Sequence, residues 1–237
     1  MLKKVLVTFD IDGTLFNALN SRQVQMNSLV AAYREIFGKD PIRSEFLGTP
    51  VPGATDCGIA AAIFQKAGVF PSHHEITRFL NIYDHAVLAH EFVGAHTFPG
   101  VERALTELSW MNDVYIGIAS GCTIRTALKK LRAIGLDSCF APLAGGFGEN
   151  NLRSQCILMA KKQAERLSRI KIDHVIHVGD TPGDVLAAHD ASALPFAVLT
   201  GKHKKSDFPG KVSVLPNLEI GLDSLVDAVA SMQELEL

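Results

Sequence analysis

The sequence predicts an α/β fold organised around a parallel sheet, and three observations predict it. The runs Val5-Leu6-Val7-Thr8-Phe9, Val114-Tyr115-Ile116-Gly117-Ile118-Ala119 and His174-Val175-Ile176-His177-Val178-Gly179 are largely apolar and strand-length, as strands buried on both faces are. Each stops at a polar residue, Asp10, Ser120 or Asp180. Segments of helical pattern follow them, and in open parallel sheets ligands bind at the carboxyl ends of strands.

The first run delivers Asp10-Ile11-Asp12-Gly13-Thr14-Leu15. Residues two apart on a strand project to the same side, and Gly13 lets the backbone turn, so Asp10 and Asp12 present two carboxylates together. At about 4 Å such charges repel by about 1 kcal/mol in water and about 4 kcal/mol at the effective dielectric of a partly buried site. Either one acid holds a proton or a hard cation such as Mg²⁺ sits between them. Two solvated loop acids are the plain alternative, and partners elsewhere must decide.

From Phe16 to Pro99 the pattern is mostly helical: Val24 to Phe37, Ile59 to Ala67 ending at Gly68, and Ile76 to Phe92 ending before Gly94. No strand-helix-strand unit falls there. A turn-rich loop, Gly48 to Asp56, precedes the second helix, which Thr55 or Asp56 can cap. Alternatively Thr49, Thr55 or Asp56 touches a substrate. His73, His74, His85, His90 and His96 lack ligand spacing, since 85 and 90 are five apart rather than the four that aligns residues on a helix. They read as surface or packing residues.

The second strand run ends at Ser120-Gly121 and leads into a helical segment through Leu131 to Gly135. A hydroxyl and fresh backbone amides at that point suit an anion such as phosphate, although Ser120 can equally cap the helix. After the third run, Thr181 is an N-cap, Pro182 fits the first helical position and Asp184 completes a capping-box pattern. Asp180 has no such explanation. A strand-end carboxylate without cation or donors is costly, so Asp180 is read as a metal ligand and Asp184 as its neighbour or a further ligand. Further strands are expected at Phe196 to Leu199 and Val212 to Leu215, and His174 and His177 as hydrogen-bonded core residues.

The 237 residues suffice for a full core. With 23 basic and 25 acidic residues and no strong cluster, nothing argues for nucleic acid or an anionic membrane. No apolar stretch reaches spanning length, and Met1-Leu2-Lys3-Lys4 runs straight into a strand, so a soluble cytoplasmic protein, monomer or homodimer, is expected. The cysteines at 57, 122, 139 and 156 lack CxxC spacing and read as reduced thiols, Cys122 as a small buried residue.

Together the DxDGT at Asp10 to Thr14, the apolar run into Ser120-Gly121 and the GDxxxD at Gly179 to Asp184 resemble the haloacid dehalogenase superfamily, in its phosphatase branch. The resemblance covers most of the chain. It implies a Rossmann-like sheet with helices on both faces, residues 1–16 and 98–237, and an inserted helical cap, residues 17–97. It further implies that Asp10 is a nucleophile forming an aspartyl-phosphate, that Asp12 is general acid and then base, and that Ser120, with Gly121 beside it, binds the phosphoryl group. Asp10, the Asp12 carbonyl and Asp180 would hold Mg²⁺.

The family's third motif, a lysine followed by proline, is absent. Arg153, at the start of the helix after Gly145-Gly146-Phe147-Gly148, is the expected substitute, because it offers planar bidentate hydrogen bonds. Lys161 and Lys162 lie two turns or more further on. The expected activity is hydrolysis of a small phosphate monoester, phosphoglycolate being one candidate by analogy. A phosphomutase would use the same groups. A dehalogenase needs no Asp12, and a non-catalytic binding module on this fold is the remaining alternative.

Overall fold

The computed structural model describes residues 2–41 and 54–235. Thr49 lies outside them. In chain order the elements are β1 (Val5–Phe9), β2 (Phe16–Asn17), α1 (Ser21–Phe37), α2 (Asp56–Lys66), α3 (His73–Leu88), β3 (His96–Thr97), α4 (Val101–Trp110), β4 (Val114–Ala119) and α5 (Ile124–Ala133). They continue with β5 (Gly145–Gly146), α6 (Arg153–Ser168), β6 (His174–Gly179), α7 (Pro182–Asp190), β7 (Leu194–Val198), β8 (Ser213–Leu215) and α8 (Leu218–Glu234). Six strands form one sheet in the order β5-β4-β1-β6-β7-β8, and every pairing is parallel.

Both faces of the sheet are covered. Val5, Val7 and Phe9 of β1 share a buried cluster with Val101, Leu105 and Leu108 of α4 and Leu222, Leu225 and Val229 of α8. Leu6 points the other way, into a cluster with Ile157 and Ala160 of α6 and Ala187 and Ala188 of α7. This period-2 division of a wholly apolar strand between two cores is what makes the run continuous in the sequence.

The helices between β2 and β3 pack through an aromatic chain. Phe37 of α1 lies 5.1 Å from Phe64 of α2, which lies 6.0 Å from Phe79 of α3. The chain leaves the sheet at β2 and returns at β3, and these two short strands pair antiparallel, Phe16 with Thr97 and Asn17 with His96. Helix α3 stops at Leu88, before the expected Phe92. The carbonyls of Leu88 and His90 accept hydrogen bonds from Lys129 Nζ of α5, the first at 2.8 Å. Phe92 is thereby left to pack edge-on against Phe16 at 5.1 Å. Strand β5 is not legible as a strand, because it is two glycines; a Cβ at Gly146 would lie 1.9 Å from the Cys156 carbonyl oxygen. Among the described residues no helix is long and apolar enough to cross a membrane.

Candidate active site

The register puts the three strand ends at one edge. Phe9 is level with Ile118 of β4 and Val178 of β6, so Asp10, Ser120 and Asp180 emerge side by side. The amide of Asp10 still donates to the Val178 carbonyl at 2.9 Å, whereas beyond it the amides of Leu15 and Phe16 fold back onto the Ile11 carbonyl at 2.9 and 2.8 Å. Gly13 turns this loop with φ +82°, and a Cβ there would come within 2.3 Å of Asp180 Oδ2. Position 13 is closed to side chains on both counts.

Arg153, the first residue of α6, supplies the positive charge at this edge. Its Nη2 lies 2.8 Å from Asp10 Oδ1 and 2.5 Å from Asp184 Oδ1, and its Nε donates to the same Asp184 oxygen at 2.6 Å. Lys161 and Lys162 carry no ion pair among the described residues. Asp184 is the best-anchored acid of the site. Its Oδ2 accepts from the Thr181 amide at 3.0 Å and the Thr181 hydroxyl at 2.6 Å, the capping box expected of α7, and His177 Nε2 lies 3.2 Å from Oδ1. His177 in turn sits 3.0 Å from the Thr8 hydroxyl, the core role expected of it. Burial penalises the Asp184 carboxylate, but Arg153 and these donors outweigh it and hold its pKa well below the usual range.

Asp180 is the opposite case. Among the described residues its one side-chain hydrogen bond is a long one, from Thr14 Oγ1 at 3.5 Å, and Cβ atoms at Gly13 and Gly201 would fall 2.3 and 1.7 Å from its Oδ2. Burial first, then Asp184 and Asp10, push its pKa far up. Burial also raises Asp10, against the pull of Arg153. Asp10, Asp180 and Asp184 offer oxygens within 4.8 Å of one another, all buried. Among the described residues one guanidinium faces these three buried carboxylates, which leaves negative charge in excess, and the donors are hard oxygens of the kind Mg²⁺ and Ca²⁺ take. The residues present therefore fit a divalent cation.

Ser120 is buried, with its Oγ 3.3 Å from Cys122 Sγ. It does not cap α5: Thr123 does, accepting from the Thr126 amide. Gly121 is required for close approach, since a Cβ would meet the Ala54 carbonyl oxygen at 2.4 Å and Arg153 Nη1 at 2.6 Å. Here the first turn of α2 is stitched to the sheet edge. The Asp56 amide donates to the Gly121 carbonyl at 2.7 Å, the Cys57 amide to the Gly148 carbonyl at 2.8 Å, and the Thr123 amide to Asp56 Oδ2 at 2.9 Å. Thr55 caps α2 and donates to the Asn151 carbonyl at 3.2 Å. So Asp56 borders the cleft while Thr55 is committed to the helix end. Burial raises the Asp56 pKa to about 7 against the pull of Lys130.

A cavity of about 210 Å³ is lined by Asp10, Asp12, Asp56, Ser120, Gly121 and Arg153, among others. A wider one of about 860 Å³, sharing Asp12, Gln25, Ile59 and Thr181, reaches Arg22, Lys202 and His203. The five histidines 73, 74, 85, 90 and 96 are exposed and take no part. All four cysteines are free, and burial pushes the Cys122 thiol far up, which makes it unreactive.

Sequence reasoning missed Lys130. It is fully buried on α5, with its Nζ 2.5 Å from Asp12 Oδ2. A lysine on a helix reads as solvated. The one available signal is phase, because Thr126, Ala127, Lys130 and Leu131 fall on one face of α5 and all are buried.

No curated protein matches the sequence. Among solved structures the chain is similar to a hydrolase from Pseudomonas syringae, with a TM-score of 0.68 and 19% identity over 95% of this chain and 98% of that one. It is similar to a predicted phosphatase from Clostridium acetobutylicum, with a TM-score of 0.65 and 17% identity over 98% and 100%. It is also similar to CbbY from Rhodobacter sphaeroides in complex with phosphate, with a TM-score of 0.64 and 16% identity over 92% and 96%. At these identities the likeness is one of fold. The sequence itself matches the profile of the haloacid dehalogenase-like hydrolases over residues 5–192. That stretch runs from the first residue of β1 past the end of α7 and takes in every acid of the cleft together with Ser120 and Arg153, so the chain belongs to the haloacid dehalogenase-like hydrolase family.

Proposed function

We propose that the protein is a Mg²⁺-dependent phosphatase that hydrolyses a small phosphorylated metabolite through an aspartyl-phosphate on Asp10. The observation that carries this is the ion pair between Arg153 and Asp10, 2.8 Å long, in the small cavity that both residues line. A carboxylate can attack an anionic phosphoryl group only if the repulsion between them is offset, and a guanidinium supplies fixed charge and two parallel donors. In dehalogenation the carboxylate attacks an uncharged carbon, so the reacting centre carries no such repulsion.

Asp10 attacks phosphorus, and the bond to the leaving oxygen breaks as Asp12 gives that oxygen a proton. Asp12, now a carboxylate, then takes a proton from water as the water attacks the same phosphorus. The electron pair of the P–O bond returns to Asp10 and phosphate leaves. Ser120 and the neighbouring backbone hold the phosphoryl oxygens, and Asp184 keeps Arg153 in place. Asp10, the Asp12 carbonyl and Asp180 would hold Mg²⁺, with Asp184 at the border because both its oxygens are already engaged. When bound, Mg²⁺ supplies positive charge to the developing transition state. In this reading residues 1–16 and 98–237 form the catalytic core and residues 17–97 a cap whose α2 closes the cleft against bulk water.

The test is turnover of a panel of phosphorylated metabolites by wild type and Asp10→Asn, with product analysis. Release of inorganic phosphate by wild type and none by a folded Asp10→Asn is expected. Return of the phosphoryl group to a bound sugar would make it a phosphomutase, and full activity in the variant would refute the role of Asp10.

A further inference from the structure

The geometry points to Lys130 as a positioning residue that fixes the carboxylate of Asp12 for the water-activating half of the reaction; this rests on the phosphatase reading. Lys130 is wholly buried, its Nζ pairs with Asp12 Oδ2 at 2.5 Å, and the Phe16 ring centroid lies 5.8 Å away. It lines neither cavity of the cleft, so it does not touch the substrate and acts through Asp12.

Stability alone does not explain this lysine. Neighbours on the same face of α5 include Ala127 and Leu131, and an apolar residue would fill the position without the cost of burying an ammonium. Nor does Asp12 need a partner for its own solvation, because its side chain is 38% exposed. What the pair does achieve is orientation. One oxygen of Asp12 is tied to a rigid helix, and the other is left for the cleft that Asp12 lines.

Lys130 also sits where the cap meets the core. Asp56, whose amide and carboxylate are bonded to Gly121 and Thr123, acts electrostatically on Lys130. Asp84 of α3 accepts from the hydroxyls of Thr123 and Thr126, the second at 3.1 Å, on the same helix. The helix that carries Lys130 is therefore held by both α2 and α3, and the position of the ammonium follows the docking of those helices.

During the second half-reaction Asp12 must accept a proton from water attacking the aspartyl-phosphate. An anchored carboxylate is already in line, whereas a free one must be found in the right rotamer each time; misplacement by about 1 Å can cost about 10²-fold. Loss of the anchor should spare the first half-reaction when the leaving group departs unaided, as nitrophenolate does.

The experiment uses p-nitrophenyl phosphate and Mg²⁺ with wild type, Lys130→Met, Lys130→Arg, Asp12→Asn and Asp12→Asn/Lys130→Met. Lys130→Met should lower kcat by about tenfold or more and KM in parallel, leaving kcat/KM within about threefold. It should also show a pre-steady-state burst of nitrophenolate that wild type lacks. Lys130→Arg should recover much of kcat, and the double variant should turn over no more slowly than Asp12→Asn alone. A purely structural lysine would lower kcat/KM as far as kcat, without a burst, and that result overturns the proposal, as does a Lys130→Met variant equal to wild type. Should Lys130→Met melt below the assay temperature, Lys130→Gln, which keeps a polar head, makes the same measurement. Wild type that releases no phosphate from any substrate overturns the phosphatase reading and this one with it, whereas an active wild type confines any failure to Lys130.

Discussion

Removing Arg153 should cost both stability and turnover, and its effect should depend on pH and metal in a definite direction. Arg153→Ala breaks the pairs to Asp10 at 2.8 Å and to Asp184 at 2.5 Å, both with acids whose side chains are nearly inaccessible. Deleting one partner of a buried ion pair costs about 3–5 kcal/mol, because the charge left behind is uncompensated. For a chain of this size that corresponds to a fall in Tm of about 10 °C. Three carboxylates would then share the site with no cation, and they would take up protons to relieve the repulsion. Arg153 is what pulls Asp10 down and keeps Asp184 ionised. Without it the folded-state pKa of Asp10, already raised to about 6 by burial, rises further and that of Asp184 rises towards the unfolded value, so the stability lost with Arg153 grows as pH rises. The loss relative to wild type should thus be larger at pH 8 than at pH 5, and added Mg²⁺ should recover part of it. In turnover, kcat/KM should fall by about 10²-fold or more, as when other fixed transition-state charges are removed. Arg153→Lys should restore part of that, because an ammonium supplies the charge but not the planar fork, while Lys161→Ala should be neutral. Thermal melts across pH and steady-state kinetics provide the check. Wild-type stability and kcat/KM in Arg153→Ala, or an equal loss in Lys161→Ala, would refute the reasoning.

Two further outcomes are expected. Activity lost on exhaustive chelation should return with Mg²⁺ but poorly with Ca²⁺, which is larger and more flexibly coordinated, and Mg²⁺ should raise Tm because it binds only the folded cluster; a melting curve indifferent to chelation would count against the site. Asp56, raised to about 7 by burial, binds a proton in the folded state that it sheds near pH 4 when unfolded. It therefore favours folding fully at low pH and withdraws about 4 kcal/mol of that stability as pH climbs to 7. Asp56→Asn, which keeps an acceptor for the Thr123 amide, should lack that decline, and parallel melting profiles for the two proteins would contradict it.

What the sequence reveals of this protein follows from which interactions are local. A strand buried on two faces must be apolar throughout, so β1, β4 and β6 announce themselves, and the acids that follow them have no local reason to exist. That is why Asp10 and Asp180 stand out while β5, two glycines admitted only by the approach of α6, does not. Arg153 is legible once the start of α6 is known, since a side chain in the first turn of a helix lies beside the strand ends that feed it. The roles of Thr55 and Asp56 divide only after folding. One oxygen caps its own helix, which any sequence reader can propose, whereas the other meets an amide 67 residues away. Lys130 is the extreme case: 118 residues separate it from Asp12, and only helical phase distinguishes it from Lys129, one position earlier and half-buried. The helical phase of α5 buries one lysine wholly and leaves the other at the surface in part, and the buried one offsets its desolvation chiefly by facing a carboxylate. A charged residue at a buried phase thus marks its partner as surely as a motif does, but only when the burial is known.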